Sequence, residues 1–197
     1  MTEILILAAI ALFVLSRLYV ALGRNDGDTP APVRTRRPAE SADTGNVSEL
    51  PTAQRRPVFT GPAAGGLEDI YNADETFNTR DFTSGAKAAY KMIVDAFARG
   101  DREALRPLLD DDVYEAWDNA IAQREADGVA PFDLLRLKKT EIEDASLEDG
   151  IARVSVRYEA ELSDTERTKS AKEIWTFKRT IASNDPNWVL DDVETAV

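Results

Sequence analysis

The sequence predicts an α+β fold class in three parts: a transmembrane helix over residues 1–23, a disordered linker over 24–66 and a folded domain over 67–197. Three observations predict it. An apolar run fills residues 4–22, six of the nine prolines lie between residues 24 and 66, and the hydrophobic period shortens from about four residues to two after Pro131. We expect about three helices packed on a curved antiparallel sheet, because helices followed by strands form two such layers.

The apolar run "ILILAAIALFVLSRLYVAL" carries one charge, Arg17. As a helix it reaches about 28 Å, close to the hydrocarbon thickness of a bilayer. Arg17 costs roughly 2.5 kcal/mol, which the Leu, Ile, Val and Phe residues offset. A cleaved signal peptide is the alternative, but such peptides begin with positive charge, whereas this chain begins Met-Thr-Glu. The basic residues behind the run predict a cytoplasmic C-terminal side: Arg17, Arg24, Arg34, Arg36 and Arg37.

Residues 24–66 hold few large apolar side chains, so we expect a flexible linker with a reach of about 35 to 40 Å. Within the linker, Arg34, Arg36 and Arg37 either lie along anionic lipid or only set the topology.

The helices of the domain are predicted from one apolar stripe each. In "SGAKAAYKMIVDAFARGD" the stripe is Ala86, Tyr90, Ile93 and Phe97, with Thr83 or Ser84 as the N-cap and Gly100 at the end. Asp101 is expected to cap a short second helix over "DREALRPLL", and the acidic run from Asp110 to Asp112 opens a third that ends at Gly128. The inward residues are expected to be Leu105, Leu108, Leu109, Val113, Trp117, Ala120 and Ile121. Upstream, "LEDIYNADETF" is a weaker amphipathic helix or a docking arm.

Four strands are predicted after Pro131. The first covers residues 133–148 and turns at "LEDG", and the second, "IARVSVRYEAEL", alternates between apolar and polar residues. The third is "EIWTFKRTI", and the fourth starts at Trp188 after the "DPNW" turn.

Composition excludes several classes of chemistry. The chain has no Cys and no His, which removes disulfides, thiolate nucleophiles, imidazole bases and nearly all zinc sites, and we expect no metal and no cofactor. Residues 67–197 hold 17 basic and 30 acidic side chains, a net charge of −13. This charge disfavours nucleic acid and favours a basic partner. The local basic patch of the domain is expected to be Arg136, Lys138 and Lys139, on a solvated strand or against anionic lipid or RNA.

The order of several separated motifs resembles one family. These are "AD" at 73 and 74 with Phe77, Phe82, "GAKAAY", "AFARGD", "LRPLL", "VYEAW", "AIAQRE", "WTFKR" and "DPNW". Together they resemble the Tim44-like domain family, which includes the mitochondrial inner-membrane import adaptor and bacterial TimA-type membrane-anchored proteins. The resemblance implies a cone-shaped fold related to nuclear transport factor two. It also implies a single-pass adaptor in the bacterial inner membrane, whose cytoplasmic domain recruits a protein partner such as a chaperone, translocation or assembly machinery.

Two alternatives remain open at this stage. The aromatic side chains Tyr90, Phe97, Trp117, Trp175, Phe177 and Trp188 are either ordinary core residues or the lining of a cavity in a lipid or apolar-ligand carrier. A Tyr/Asp enzyme of the same fold is the second alternative, with Tyr90, Asp95, Tyr114 and Tyr158 as its candidates. We expect no catalytic residue, because Tyr90 shares the buried stripe with Phe97 while Asp95 faces the other way.

Overall fold

The structure, a computed structural model, describes residues 56–164 and 166–196. The expected transmembrane helix, most of the expected linker and the five membrane-proximal arginines lie outside these residues. Within the described part of the chain, no helix is long and apolar enough to cross a membrane.

Four helices precede the strands, so the α+β class is confirmed, with one helix more than expected. The helices are α1 (Ala64–Ala73), α2 (Thr79–Arg99), α3 (Arg102–Leu105) and α4 (Asp111–Asp127). The additional helix is α1, which forms from the segment predicted as a weak helix or an arm. It starts three residues before residue 67 and buries Leu67 and Ile70.

Helix α2 begins one turn earlier than the sequence predicted. Its N-cap is Asn78, whose side chain accepts hydrogen bonds from the backbone N–H groups of Arg80 and Asp81. The prediction of Thr83 or Ser84 as the cap was wrong, because Phe82 is buried and extends the apolar stripe upstream. Gly100 ends α2 in the left-handed conformation (φ 69°), as expected.

Helices α3 and α4 begin where the sequence predicted, but α3 ends at Leu105, four residues before the end of the predicted segment, because Pro107 follows. The Asp101 side chain caps α3 by accepting from the backbone N–H of Ala104 at 3.0 Å. Asp110 precedes α4 but makes no capping bond with its side chain, because Lys178 holds that carboxylate at 2.9 Å. Gly128 ends α4 with φ 63°.

The strands form one antiparallel sheet in the order β1-β2-β3-β4. All four predicted strands are present, but β3 begins five residues earlier than predicted. They are β1 (Asp133–Glu148), β2 (Ile151–Ser163), β3 (Thr168–Thr180) and β4 (Val189–Thr195). The predicted "LEDG" turn is confirmed: both of its last residues, Asp149 and Gly150, have positive φ, which suits a two-residue hairpin. In β2 every second residue from Ala152 to Ala160 is buried, as the alternation predicted, while Leu162 near its end is half-buried. The helices cover this buried face.

Strand β1 lies at one edge of the sheet and is irregular. Its register against β2 shifts at three places: Leu134/Arg136, Leu137/Lys139 and Ile142/Asp144. Bulges and basic side chains on an edge strand oppose pairing with the edge of another sheet. The edge of β1 is therefore protected against added strands, and its middle instead contacts α1 and α2.

Candidate docking groove

The aromatic residues predicted to line a cavity contact one another inside the domain. The Tyr90 ring lies 4.5 Å from the Trp175 ring, and the Trp117 ring lies 5.0 Å from Phe97 and 5.9 Å from Trp175, centroid to centroid. Phe177 and Trp188 are linked through Phe82, at 6.2 and 4.9 Å. These contacts are ordinary core packing. None of the six residues lines the open groove that lies between α2 and β1.

A partly buried acid beside this aromatic cluster was missed by the sequence analysis. Glu173 faces the helices from β3, and its Oε2 accepts hydrogen bonds from the Trp175 Nε1–H at 3.0 Å and the Tyr90 hydroxyl at 3.3 Å. Burial raises the pKa of the Glu173 carboxyl, although both hydrogen bonds favour the ionised form. The signal was available: Glu173 is two residues before Trp175 and four before Phe177, on the same face of the strand.

The candidates for a Tyr/Asp enzyme do not form a site. Asp95 has 57% of its side chain exposed and pairs with Arg99, so it is not a buried acid facing a cavity. Tyr114 stacks under Arg106, with 4.6 Å between the guanidinium carbon and the ring centroid. Tyr158 donates its hydroxyl hydrogen to the backbone oxygen of Ala86 at 2.9 Å, and burial raises its pKa. It therefore serves as a fixed link between β2 and α2.

The predicted basic patch is neutralised by its own neighbours in the sheet. Arg136 and Lys138 both pair with Glu161, and Lys139 pairs with Glu141 at 2.9 Å. The hydrogen bonds from Lys138 and Arg136 lower the pKa of Glu161. The patch is thus a set of ion pairs on a solvated strand.

An open groove of about 700 Å³ lies between α2 and β1, and we call it the α2–β1 groove. Its apolar lining comes from Val58, Phe59, Pro62, Ala63, Leu67 and Ile142, and its polar lining from Thr79, Arg80, Thr83, Ser84, Lys87, Thr140 and Glu141. Apolar and polar groups share one concave site, which is typical of sites that bind peptides or amphipathic molecules.

The end of the expected linker forms one wall of this groove. Arg56 donates a hydrogen bond to Glu68 at 3.2 Å and lies over the Tyr71 ring, while Phe59 packs on that ring at 6.0 Å. These contacts fix the segment before α1 to the outer side of that helix.

Three cations along the groove side of α2 have no acidic partner. Arg80, Lys87 and Lys91 are exposed, and no carboxylate in residues 56–164 or 166–196 pairs with them. Their spacing of seven and four residues keeps them within roughly 40° of arc on the helix. We call these three residues the α2 cation row. Sequence analysis missed it because the three cations are not contiguous in the chain, although the spacing was a readable signal.

The motif residues that carry the family resemblance converge at the other end of α1. Asp74 pairs with Arg179, whose guanidinium lies 5.2 Å from the centroid of the Trp188 ring, and Phe77 packs on that ring at 6.0 Å. The hydrogen bond from Thr76 is the largest of several effects that lower the pKa of Asp74. This cluster joins α1 to β3 and to the start of β4, so these residues hold the fold together.

Comparison with known proteins places the domain in a family. The family model described as "Tim44-like domain" matches residues 63–195. Among solved structures, the intermembrane space region of the chloroplast protein ARC6 is similar, with 15% identity, coverage of 66% of this chain and 95% of that chain, and a TM-score of 0.41. A designed β-sheet protein solved by NMR has 16% identity, coverage of 60% and 89%, and a TM-score of 0.32. The comparison with curated proteins gives no match.

Proposed function

Because the chain belongs to the Tim44-like domain family, we propose that it is a single-pass membrane adaptor whose cytoplasmic domain recruits a protein partner. In this proposal residues 1–23 anchor the chain in the bacterial inner membrane, the linker runs from residue 24 to the segment that packs on α1 from Arg56 onward, and the cone-shaped domain binds the partner through the α2–β1 groove. The observation that carries the proposal is the division of the domain into a filled aromatic core and a separate groove with unpaired cations.

The packing of the core favours an adaptor over a carrier. A carrier needs an enclosed apolar space, whereas the large aromatic side chains of this domain pack on one another, with Tyr90 and Trp175 each about 1% exposed. The groove is open to solvent and carries charged groups at its rim, which suits a protein segment better than a sequestered lipid tail.

Because the linker tethers the domain at the membrane, a small docking surface is sufficient for recruiting a partner. A flexible tether holds the domain within a limited volume, and short linkers commonly give effective concentrations in the millimolar range. A partner that also resides at the membrane would then be bound even when the affinity of the isolated domain is weak.

Proximity labelling in cells tests the adaptor function. The full chain and a chain without residues 1–23 each carry the labelling enzyme at the C-terminus, and biotinylated proteins are identified in membrane and soluble fractions. We expect the full chain to label a specific protein set in the membrane fraction and the shortened chain to lose that enrichment. Equal enrichment by both chains would contradict the proposal.

A further inference from the structure

We infer that the partner segment bound in the α2–β1 groove is acidic, with carboxylates about 10 Å apart and apolar side chains between them. The inference rests on the proposed adaptor function and specifies the chemistry of the partner. It differs from the expectation drawn from net charge, because binding depends on the charges that face the ligand.

The first argument is the lack of acidic partners for the α2 cation row. The basic residues of the neighbouring helices are satisfied locally: Arg102 pairs with Asp118 and Glu125, and Arg106 pairs with Asp111. Arg80, Lys87 and Lys91 have no such carboxylate within the described residues, even though acids outnumber bases in the domain. An arriving carboxylate would therefore meet these cations without displacing an existing ion pair.

The second argument is the spacing of the cations at the groove. Arg80 and Lys87 both line it, and two helix turns separate them by about 10 Å along the axis. Carboxylates at about that distance on one side of a segment lie three residues apart in a polyproline II conformation or seven apart in an α-helix. The row continues for one more turn to Lys91, where Met92 is 50% exposed.

The third argument is the apolar part of the groove. Phe59, Leu67 and Ile142 line it beside the cations, so a ligand must offer apolar groups as well as negative charge. A peptide supplies both on one backbone, and the hydroxyl groups of Thr79, Thr140 and Ser84 offer polar contacts for that backbone.

The shape of the site favours a peptide over a membrane surface or a nucleic acid. Two of the three cations line a concave groove, whereas a bilayer presents a broad surface that meets the most protruding side chains first. A nucleic acid would approach a domain with a net charge of −13 and find two or three free cations, too few to compensate for the repulsion.

A binding assay with the full chain in nonionic detergent tests the inference. The probe is a fluorescent peptide of three Glu-Leu-Ala repeats, which places successive carboxylates on one side and about 9 Å apart in a polyproline II conformation. The control probe has Lys in place of Glu. The variant Lys87→Glu is matched by Lys172→Glu, which makes the same charge change at an exposed residue of β3, away from the groove.

We expect the protein to bind the acidic probe in preference to the basic one, and more weakly as salt is raised. Lys87→Glu should reduce the affinity at least roughly fivefold, while Lys172→Glu should leave it unchanged. Equal binding of the two probes, or equal losses in the two variants, would overturn the inference. Stronger binding of phosphatidylglycerol vesicles than of the acidic probe, dependent on Lys87, would assign the row to lipid and overturn it as well.

The acids of the linker itself are the remaining possible occupant. Glu40, Asp43 and Glu49 precede Arg56 in the chain. If changing them together to Gln, Asn and Gln raises the affinity for the acidic probe, the linker fills the groove and the inference of an external partner fails. Unchanged affinity supports the external partner.

Proximity labelling separates the two levels of the proposal. If the adaptor function is right and this inference is wrong, the Lys87→Glu protein still labels its partner in the membrane fraction. If the adaptor function is wrong, removing residues 1–23 leaves the labelling unchanged whatever the peptide assay gives.

Discussion

Gly66 in α1 lies directly against the backbone of Ala145 in β1. A Cβ atom on Gly66 would fall 1.7 Å from the Ala145 carbonyl oxygen and 2.2 Å from its carbonyl carbon. Because the obstacle is backbone in a paired strand, α1 would have to move away from the sheet. The next residue, Leu67, lines the α2–β1 groove, so this contact also fixes one wall of the proposed binding site.

The substitution Gly66→Ala should destabilise the domain by about 3 kcal/mol or more, since a helix must shift to admit one methyl group. The matched substitution Gly65→Ala meets nothing within 4 Å and should be neutral or stabilise by about 0.5 to 1 kcal/mol. Urea unfolding followed by tryptophan fluorescence measures both, because all three tryptophans lie in the domain. Similar unfolding free energies for the two variants would contradict the close contact.

The Asp191 carboxylate is the centre of a charge network on the outer face of the sheet. It is 4% exposed and accepts from the Arg153 Nε–H at 3.0 Å and the Lys178 ammonium at 2.9 Å. Burial opposes its ionisation, but the hydrogen bonds from Lys178 and Arg153 outweigh burial and lower the pKa of Asp191. Its stabilising contribution is thus present above the unfolded-state pKa and is lost as the pH falls through the lower folded-state pKa.

We expect Asp191→Asn to lower the unfolding free energy at neutral pH by about 2 to 3 kcal/mol, because the partly buried Arg153 loses its anion and Lys178 keeps only Asp110. The loss should shrink in acid, where the wild-type carboxyl is protonated too. Asp111→Asn is the control: that side chain is 84% exposed in its pair with Arg106, so the change should cost less than about 1 kcal/mol. Urea titrations at neutral and acidic pH compare the three proteins.

Glu173 should give the opposite dependence on pH. Because burial raises the pKa of its carboxyl, the folded state holds the proton more tightly than the unfolded chain. Its contribution is fully present below the unfolded-state pKa and is lost as the pH rises through the folded-state pKa. Glu173→Gln keeps an oxygen acceptor for Trp175 and Tyr90 but cannot ionise, so it should remove this loss.

Urea unfolding of Glu173→Gln and wild type from acid to neutral pH checks this directly. The quantity compared is the difference between their unfolding free energies. As the pH rises, Glu173→Gln should become more stable relative to wild type. The same difference for Glu115→Gln, on the exposed side of α4, serves as the control. A difference for Glu173→Gln that stays constant with pH would show that this carboxyl does not titrate between the folded and unfolded states.

The fold was predictable where one local signal decided the structure. The stripe of Tyr90 and Ile93 predicted α2, the alternation around Val154 predicted β2, and Gly100 predicted the helix end. The start of α2 was not predictable from Thr83 or Ser84, because burial of Phe82 against Phe177 and Trp188 is a tertiary contact that extends the helix back to Asn78.

The candidate site was harder to predict than the fold. Consecutive basic residues such as Lys138 and Lys139 suggested a patch, yet Glu161 reaches Lys138 from β2 through a pairing that only the sheet register defines. The pair of Lys139 with Glu141, two residues along the same strand, was readable from the sequence. Conversely, the residues of the α2 cation row are not contiguous in the sequence. Their lack of acidic partners depends on where the fold places the carboxylates of the domain.

Photo-crosslinking from inside the groove tests the central claim most directly. A photoreactive amino acid replaces Ser84, which lines the groove, or Ser170, which is exposed on β3 and serves as the control, in the full membrane-inserted chain. We predict that position 84 crosslinks to a specific protein through an acidic segment identified by mass spectrometry, that position 170 does not, and that Lys87→Glu abolishes the product. Crosslinks from position 84 only to lipid, or equal products from both positions, would contradict the account.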